Sequence, residues 1–238
     1  MKGLGTIINV LAITVGGIIG LLFKNVLKER YQETILKATG IAVMFLGISG
    51  TISKMLVIQD GSLSSIDTLP MIISLALGAF LGELLDIDYK IEEFGTWLKV
   101  HTGNAKDKNF TNAFVSASLT VCIGAMAIIG ALQDGINGDY SVLLAKAILD
   151  LIIIMIMTSS LGKGCIFSFI PVGIFQGLVT IFAIFISSFM TDAILSSISL
   201  VGNILVFCVG LNLLWPSTIR VANLLPSLIF IIIFTIFF

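Results

Sequence analysis

A chain of 238 residues that is 57% hydrophobic and only 11% charged, with a mean hydropathy of +1.12, lies far from the soluble norm of roughly 45 to 50% apolar and about 25% charged. Its net charge of −1, single histidine and three scattered cysteines give no basis for a nucleic-acid surface and lack the paired spacing of a zinc or redox site. What remains is an integral membrane protein with no room for a sizeable soluble domain.

A span needs about 20 apolar residues to cross roughly 30 Å of hydrocarbon. Such runs predict helices at 4–23, 35–56, 69–85, 110–132, 140–161, 165–189, 193–214 and 221–238. The fold class is therefore all-α: one polytopic transmembrane helix bundle of seven or eight helices filling residues 1–238, eight if the short last helix crosses. The first run lacks a basic leader and a small-residue cleavage pattern, so it reads as retained. It carries Gly16 and Gly20, and the third run Gly78 and Gly82. Small residues four apart let two backbones approach closely in lipid, within one chain or across a homodimer. Phe45-Leu-Gly47 and Cys122-Ile-Gly124 follow in the second and fourth runs, and Cys208-Val-Gly210 in the seventh echoes them. The first two helices thus resemble the next two as an internal hairpin repeat would, although glycine-spaced apolar helices also resemble one another by composition.

Lys24, Lys28, Arg30 and Lys37 fall in or beside the first loop, and Lys90, Lys99, Lys106 and Lys108 in the third, against Lys54 alone in the second. The positive-inside rule makes loops one and three cytoplasmic. Lys163 and Arg220 then fall on the same side, and eight alternating spans put both termini outside. Glu83 ends the third helix one turn before Asp86 and reads as a gate or as a wet interfacial carboxylate. In the third loop, 86–109, Ile87, Ile91, Phe94, Trp97 and Leu98 share helical spacing among charged neighbours. That pattern predicts an amphipathic segment at the cytoplasmic interface, either a connector or a partner-binding element, with Trp97 and Trp215 as interfacial anchors. The fourth loop, Gln133 to Asp139, places Asp134, Asn137 and Asp139 near one another but lacks the spacing of a calcium loop. It reads as a glycine turn.

Lys146 and Asp150 stand one turn apart in the fifth helix, about 9 and 15 Å from Tyr140 at 1.5 Å per residue, so Asp150 sits near mid-bilayer. A lone charge there costs roughly 2.5 to 3.5 kcal/mol, which a paired lysine and aspartate partly offset. Two readings stand. The pair is a buried ion pair that fixes helix orientation, or it is a relay in which Asp150 loads a proton or cation and Lys146 tunes or replaces it. Gln176 follows Pro171 and Gly173 in the sixth helix, a combination that frees backbone carbonyls toward a cavity. Ser199, Asn203 and Gly210 share a face of the seventh, while Asn9, Asn212 and Asn223 read as interhelical hydrogen-bonding amides.

Several segments have a more specific look. Residues Gly5 to Gly20, Leu75 to Leu85, Cys122 to Gly135, Lys146-Ala-Ile-Leu-Asp150, Gln176-Gly177 and Val221-Ala-Asn-Leu-Leu-Pro226 resemble a bacterial membrane family known as domain of unknown function 554. The resemblance covers essentially the whole chain and departs from it in the Phe- and Ile-rich end, residues 228–238. It implies a multipass protein of the inner membrane, of a kind often described as transporters, with no catalytic role attached to Lys146, Asp150, Gln176 or Asn223.

The expected function is a secondary transporter or exchanger of an ion or small polar solute, with Asp150, Lys146, Gln176 and Asn203 at a midplane site. The alternative is a membrane scaffold or regulatory subunit whose polar groups only lock helices. No nucleophile, metal-binding cluster or Walker motif supports an enzyme, and no cofactor or metal is expected.

Overall fold

The structure, a computed structural model, describes residues 2–26, 28–59, 61–122, 125–183, 185, 190–216 and 218–237. In chain order these form α1 (Leu4–Val26), α2 (Glu29–Met55), a hairpin of β1 (Leu56–Gln59) and β2 (Ser62–Ser65), α3 (Thr68–Leu85), α4 (Ile87–His101), α5 (Phe110–Cys122), α6 (Ala125–Asn137) and α7 (Ser141–Leu161). A 3-10 turn (Lys163–Ser168) runs into α8 (Phe169–Ile181); α9 (Asp192–Leu214), a second 3-10 turn (Val221–Leu224) and α10 (Ser227–Phe237) complete the fold. Apart from the hairpin the architecture is all-α.

Among the described residues six helices are long and apolar enough to cross a bilayer: Leu4–Lys24, Arg30–Met55, Thr68–Leu85, Ser141–Leu161, Lys163–Ile181 and Asp192–Leu214. A seventh span exists if α5 and α6, whose axes differ by 61°, act as one. Two of the eight expected spans therefore take a different form. The continuous helix expected at 110–132 is the bent pair α5 and α6; Gly124, part of the proposed repeat, lies outside the described residues. The last span shrinks to a 3-10 turn and the 11 residues of α10, about 16 Å at 1.5 Å per residue, short of the hydrocarbon thickness. The expected helix ends at 189 and 238 also lie outside the described residues.

Close backbone approaches fix the directions of the spans. A side chain at Gly16 would run into the backbone of Leu151, and one at Gly20 into that of Met155, so α1 and α7 lie side by side and run the same way. Gly40 lies against Gly210, Gly47 against Phe207 and Gly50 against Asn203, which makes α2 and α9 antiparallel. Gly78 meets Ser227 and Gly82 meets Asn223, setting α3 against the second 3-10 turn and α10. The matched helices of the repeat, α1 and α3, share this close approach, but α2 is one 27-residue helix whereas its counterpart is divided.

The inner seam is apolar, built from Ile13, Val43, Ala117, Val121, Ile154 and Met157. Outward faces carry Phe45, Phe80, Leu84, Ile181 and Phe185 in exposed positions, as lipid-facing helices require. Lys24 lies beside Gly162, and Lys106 and Lys163 share one surface pocket, so the cations of loops one and three and of the turn after α7 gather at one end. The hairpin lies in the second loop, with Leu56 opposite Ser65 and Ile58 opposite Leu63 and Gly61 at φ +76°. The sequence Asp60-Gly61 is the chemistry that favours such two-residue turns.

Candidate functional site

Four polar side chains from three helices meet inside the bundle. Gly5 lies against Leu143 and Gly16 against Leu151, so α1 presses on α7 with Asn9 held between these contacts. Asn9 Nδ2 donates to Asp150 Oδ2 at 3.0 Å and to Gln176 Oε1 of α8 at 3.3 Å. Lys146 Nζ lies 2.8 Å from both Asp150 oxygens and donates to the Val121 carbonyl of α5 at 2.8 Å. Val121 is among the last four residues of α5, whose carbonyls a helix leaves without donors. A lysine ammonium there also meets the negative end of the helix dipole.

The ammonium has three protons and three acceptors in place. The pair is taken out of solvent, with Lys146 7% and Asp150 3% exposed, and Asn9 and Gln176 fully buried. Two atoms at the cluster remain unused: Asn9 Oδ1 and Gln176 Nε2 are buried and have no hydrogen-bond partner among the described residues. An acceptor and a donor are therefore left beside a neutralised carboxylate.

Cavities lie on either side along the bundle. Toward the end where α1 begins, a 450 Å³ cavity is lined by Thr6, Gly135, Gly177 and Thr180, one residue beyond Gln176. At the lysine-rich end a 430 Å³ vestibule is lined by Asp86, Asp88, Glu92, Asn112, Asn212 and Arg220. Burial raises the Asp88 carboxyl above its ordinary range, opposed by the Arg220 guanidinium.

Asn203 lies apart from the cluster. It donates to Ser199 Oγ at 3.3 Å and fills the seam at Gly50 of α2, because α9 pairs with α2 rather than with α7. Glu83 is exposed and ion-paired with Arg220 at 3.0 Å. The turn expected at Gln133 to Asp139 is also different: α6 continues through Asn137, and buried Asp134 accepts from Gly3 N at 3.1 Å and Gly5 N at 2.9 Å. It thereby satisfies amides that open α1, work a helix N-terminus assigns to a carboxylate. Asn223 Oδ1 receives Asp88 N at 2.7 Å at the start of α4. Sequence reasoning left Asn9 out of the site; its one signal was an amide at depth in an apolar helix.

Residues 4–236 match the family described as "Protein of unknown function (DUF554)". The chain is 30% identical over 234 residues to the Uncharacterized membrane protein YdfK of Bacillus subtilis (strain 168), covering 98% of this chain and 96% of that one. It is 27% identical over 230 residues to the Uncharacterized protein YqgA of Escherichia coli (strain K12), covering 95% and 93%. No solved structure matches. With nearly its whole length matched, and with helices of membrane-spanning length, the chain belongs to the DUF554 family of multipass membrane proteins.

Proposed function

We propose that the protein is a secondary transporter or exchanger of the bacterial inner membrane that moves an ion or small polar solute, with Lys146 and Asp150 as its ion site. The observation that carries this reading is the buried ammonium, held by Asp150 and by one carbonyl, that of Val121, near the end of a broken helix. Bent helices with free carbonyl ends near the midplane are where coupling ions bind in transporters. In the resting site Lys146 occupies the place of a cation. An arriving proton or cation takes Asp150 as Lys146 withdraws, so the carboxylate is never left unpaired, which is the expensive state. Asn9 steadies the carboxylate and is itself held by Gln176, and the two contribute the spare acceptor and donor. The protein performs no covalent chemistry in this scheme and needs no cofactor.

Gly16 and Gly20, and Gly78 and Gly82, act as packing faces inside one chain, so a homodimer would use other surfaces. The lysine-rich end faces the cytoplasm by the positive-inside rule, and the N-terminus faces outward. The test is ion flux in proteoliposomes across a panel of solutes. The native protein is expected to carry a flux that Asp150→Asn reduces to the level of protein-free vesicles while the protein keeps its elution profile. Equal flux in the two proteins overturns the assignment to Asp150. Background flux in both favours a non-transporting scaffold, a reading supported by the close α1–α7 seam.

A further inference from the structure

The seam between α1 and α8 is polar on one side of the ion pair and apolar on the other. Thr6 Oγ1 of α1 lies 3.4 Å from Thr180 Oγ1 of α8, and both residues line the 450 Å³ cavity where α1 begins. One turn deeper Asn9 meets Gln176, and Asn9 in turn holds Asp150. Successive turns of this antiparallel pair therefore run from a hydroxyl pair to an amide pair to the carboxylate. In the next turn the three helices present Ile13, Ile154 and Val172, each 0% exposed and packed in one apolar cluster. A polar seam thus joins Asp150 to the cavity, and an apolar plug separates it from the lysine-rich end.

The same seam is the looser side of α1. Gly16 and Gly20 press on the backbone of α7, whereas a side chain at Gly173 of α8 would meet only that of Val10, and one at Gly177 nothing within 4 Å among the described residues. The Thr6–Thr180 contact is long against the roughly 2.7 Å of a good hydroxyl pair, so little is lost when it parts. Asp150 also sets the polarity of the amides. A carboxylate only accepts, so Asn9 turns Nδ2 to it and to Gln176 Oε1, which leaves Asn9 Oδ1 and Gln176 Nε2 over. A water molecule matches an acceptor and a donor together. A bare metal cation takes oxygen ligands alone and is repelled by the Gln176 amide protons.

We propose that the ion carried is a proton and that it reaches Asp150 from the end where α1 begins, through a gate formed by Thr6 and Thr180. The proposal rests on the transport reading and deepens it by naming the ion and its entry. When the two hydroxyls part, cavity water reaches Asn9 Oδ1 and Gln176 Nε2; a hydronium ion there gives its proton to Asp150 Oδ2 and is left as water. The carboxylate becomes the neutral acid, and Lys146 keeps its three protons but loses its counter-charge. The titratable groups around this route, among the described residues, are Lys146 beside Asp150, the Cys122 thiol within electrostatic reach of that pair, Lys2 in the cavity wall, and Asp134, held by the Gly3 and Gly5 amides.

The test is time-resolved infrared spectroscopy of the full chain in lipid nanodiscs after a drop in pH. The native protein is expected to develop a protonated-carboxyl band that Asp150→Asn removes and that added sodium or potassium leaves unchanged. Gly177→Phe, which fills the cavity, and the double variant Thr6→Val with Thr180→Val should each slow that band about tenfold, a barrier of one lost hydrogen bond, and reach the native amplitude. Ser116→Phe, which obstructs the vestibule at the other end, should keep the native rate. Absence of the band, or its suppression by sodium or potassium, overturns the proton assignment. A native rate in Gly177→Phe, or slowing in Ser116→Phe alone, overturns the route, and a native rate in the double valine variant overturns the gate. Slowed protonation together with background ion flux in vesicles keeps the route and overturns the transport reading instead.

Discussion

Asn9 shows how much one neutral amide can govern at depth. It spends both amide protons, one on Asp150 and one on Gln176, and so joins α1 to α7 and α8. A hydrogen bond to a charged group contributes about 1.5 to 3 kcal/mol, and Asn9→Ala should lower unfolding stability in detergent by that amount; an unchanged midpoint would show that the amide is idle. Lys146 and Asp150 were legible in the sequence because two charges one turn apart in an apolar helix demand each other. Asn9 was not, since its partners lie 141 and 167 residues away and only helix packing decides which amides meet. Asp134 was misplaced for a related reason. Hydropathy ends the fourth apolar run at Leu132, but the helix continues because the Asp134 carboxylate is occupied by the opening amides of α1.

At the scale of elements, most helices follow from their apolar runs, while the features that shape the site do not. The division between α5 and α6 leaves little trace in composition, because both halves are equally apolar and hydropathy cannot report direction. The β hairpin had a clear cue in Asp60-Gly61, which charge counting over the second loop passed by. The start of α4 has its own pH dependence. Asp88 sits there with its backbone amide on Asn223 and its carboxyl pKa raised by burial. A raised carboxylate pKa means that the folded state binds the proton more tightly, so this stabilisation is complete below the unfolded pKa and is lost as pH rises through the folded one. Hydrogen exchange at the first turn of α4 should therefore be slower, after correction for intrinsic rates, in mildly acidic than in neutral buffer. Asp88→Asn should flatten that dependence; a slope that persists in the variant would place its origin elsewhere.

For the whole molecule, the number of spans and the gathering of lysines at one end bear on orientation together. If that end is cytoplasmic, a cysteine at Lys106→Cys, in a background with Cys122, Cys165 and Cys208 replaced by alanine, should react with an impermeant thiol reagent only in inside-out vesicles. Labelling of intact cells would reverse the orientation. The fold class was readable from composition because a bilayer admits so few backbones, whereas the pairing of α1 with α7 and of α2 with α9 depends on glycine contacts that no single helix reveals. The Lys146–Asp150 salt bridge has an electrical consequence as well. Moving one elementary charge through the membrane field is worth about 2.3 kcal/mol per 100 mV, yet a closed pair of opposite charges has none to move. With the pair closed the protein is therefore nearly deaf to membrane potential at this point, and in the proposed transport scheme voltage acts here only in the step that draws the ammonium and the carboxylate apart.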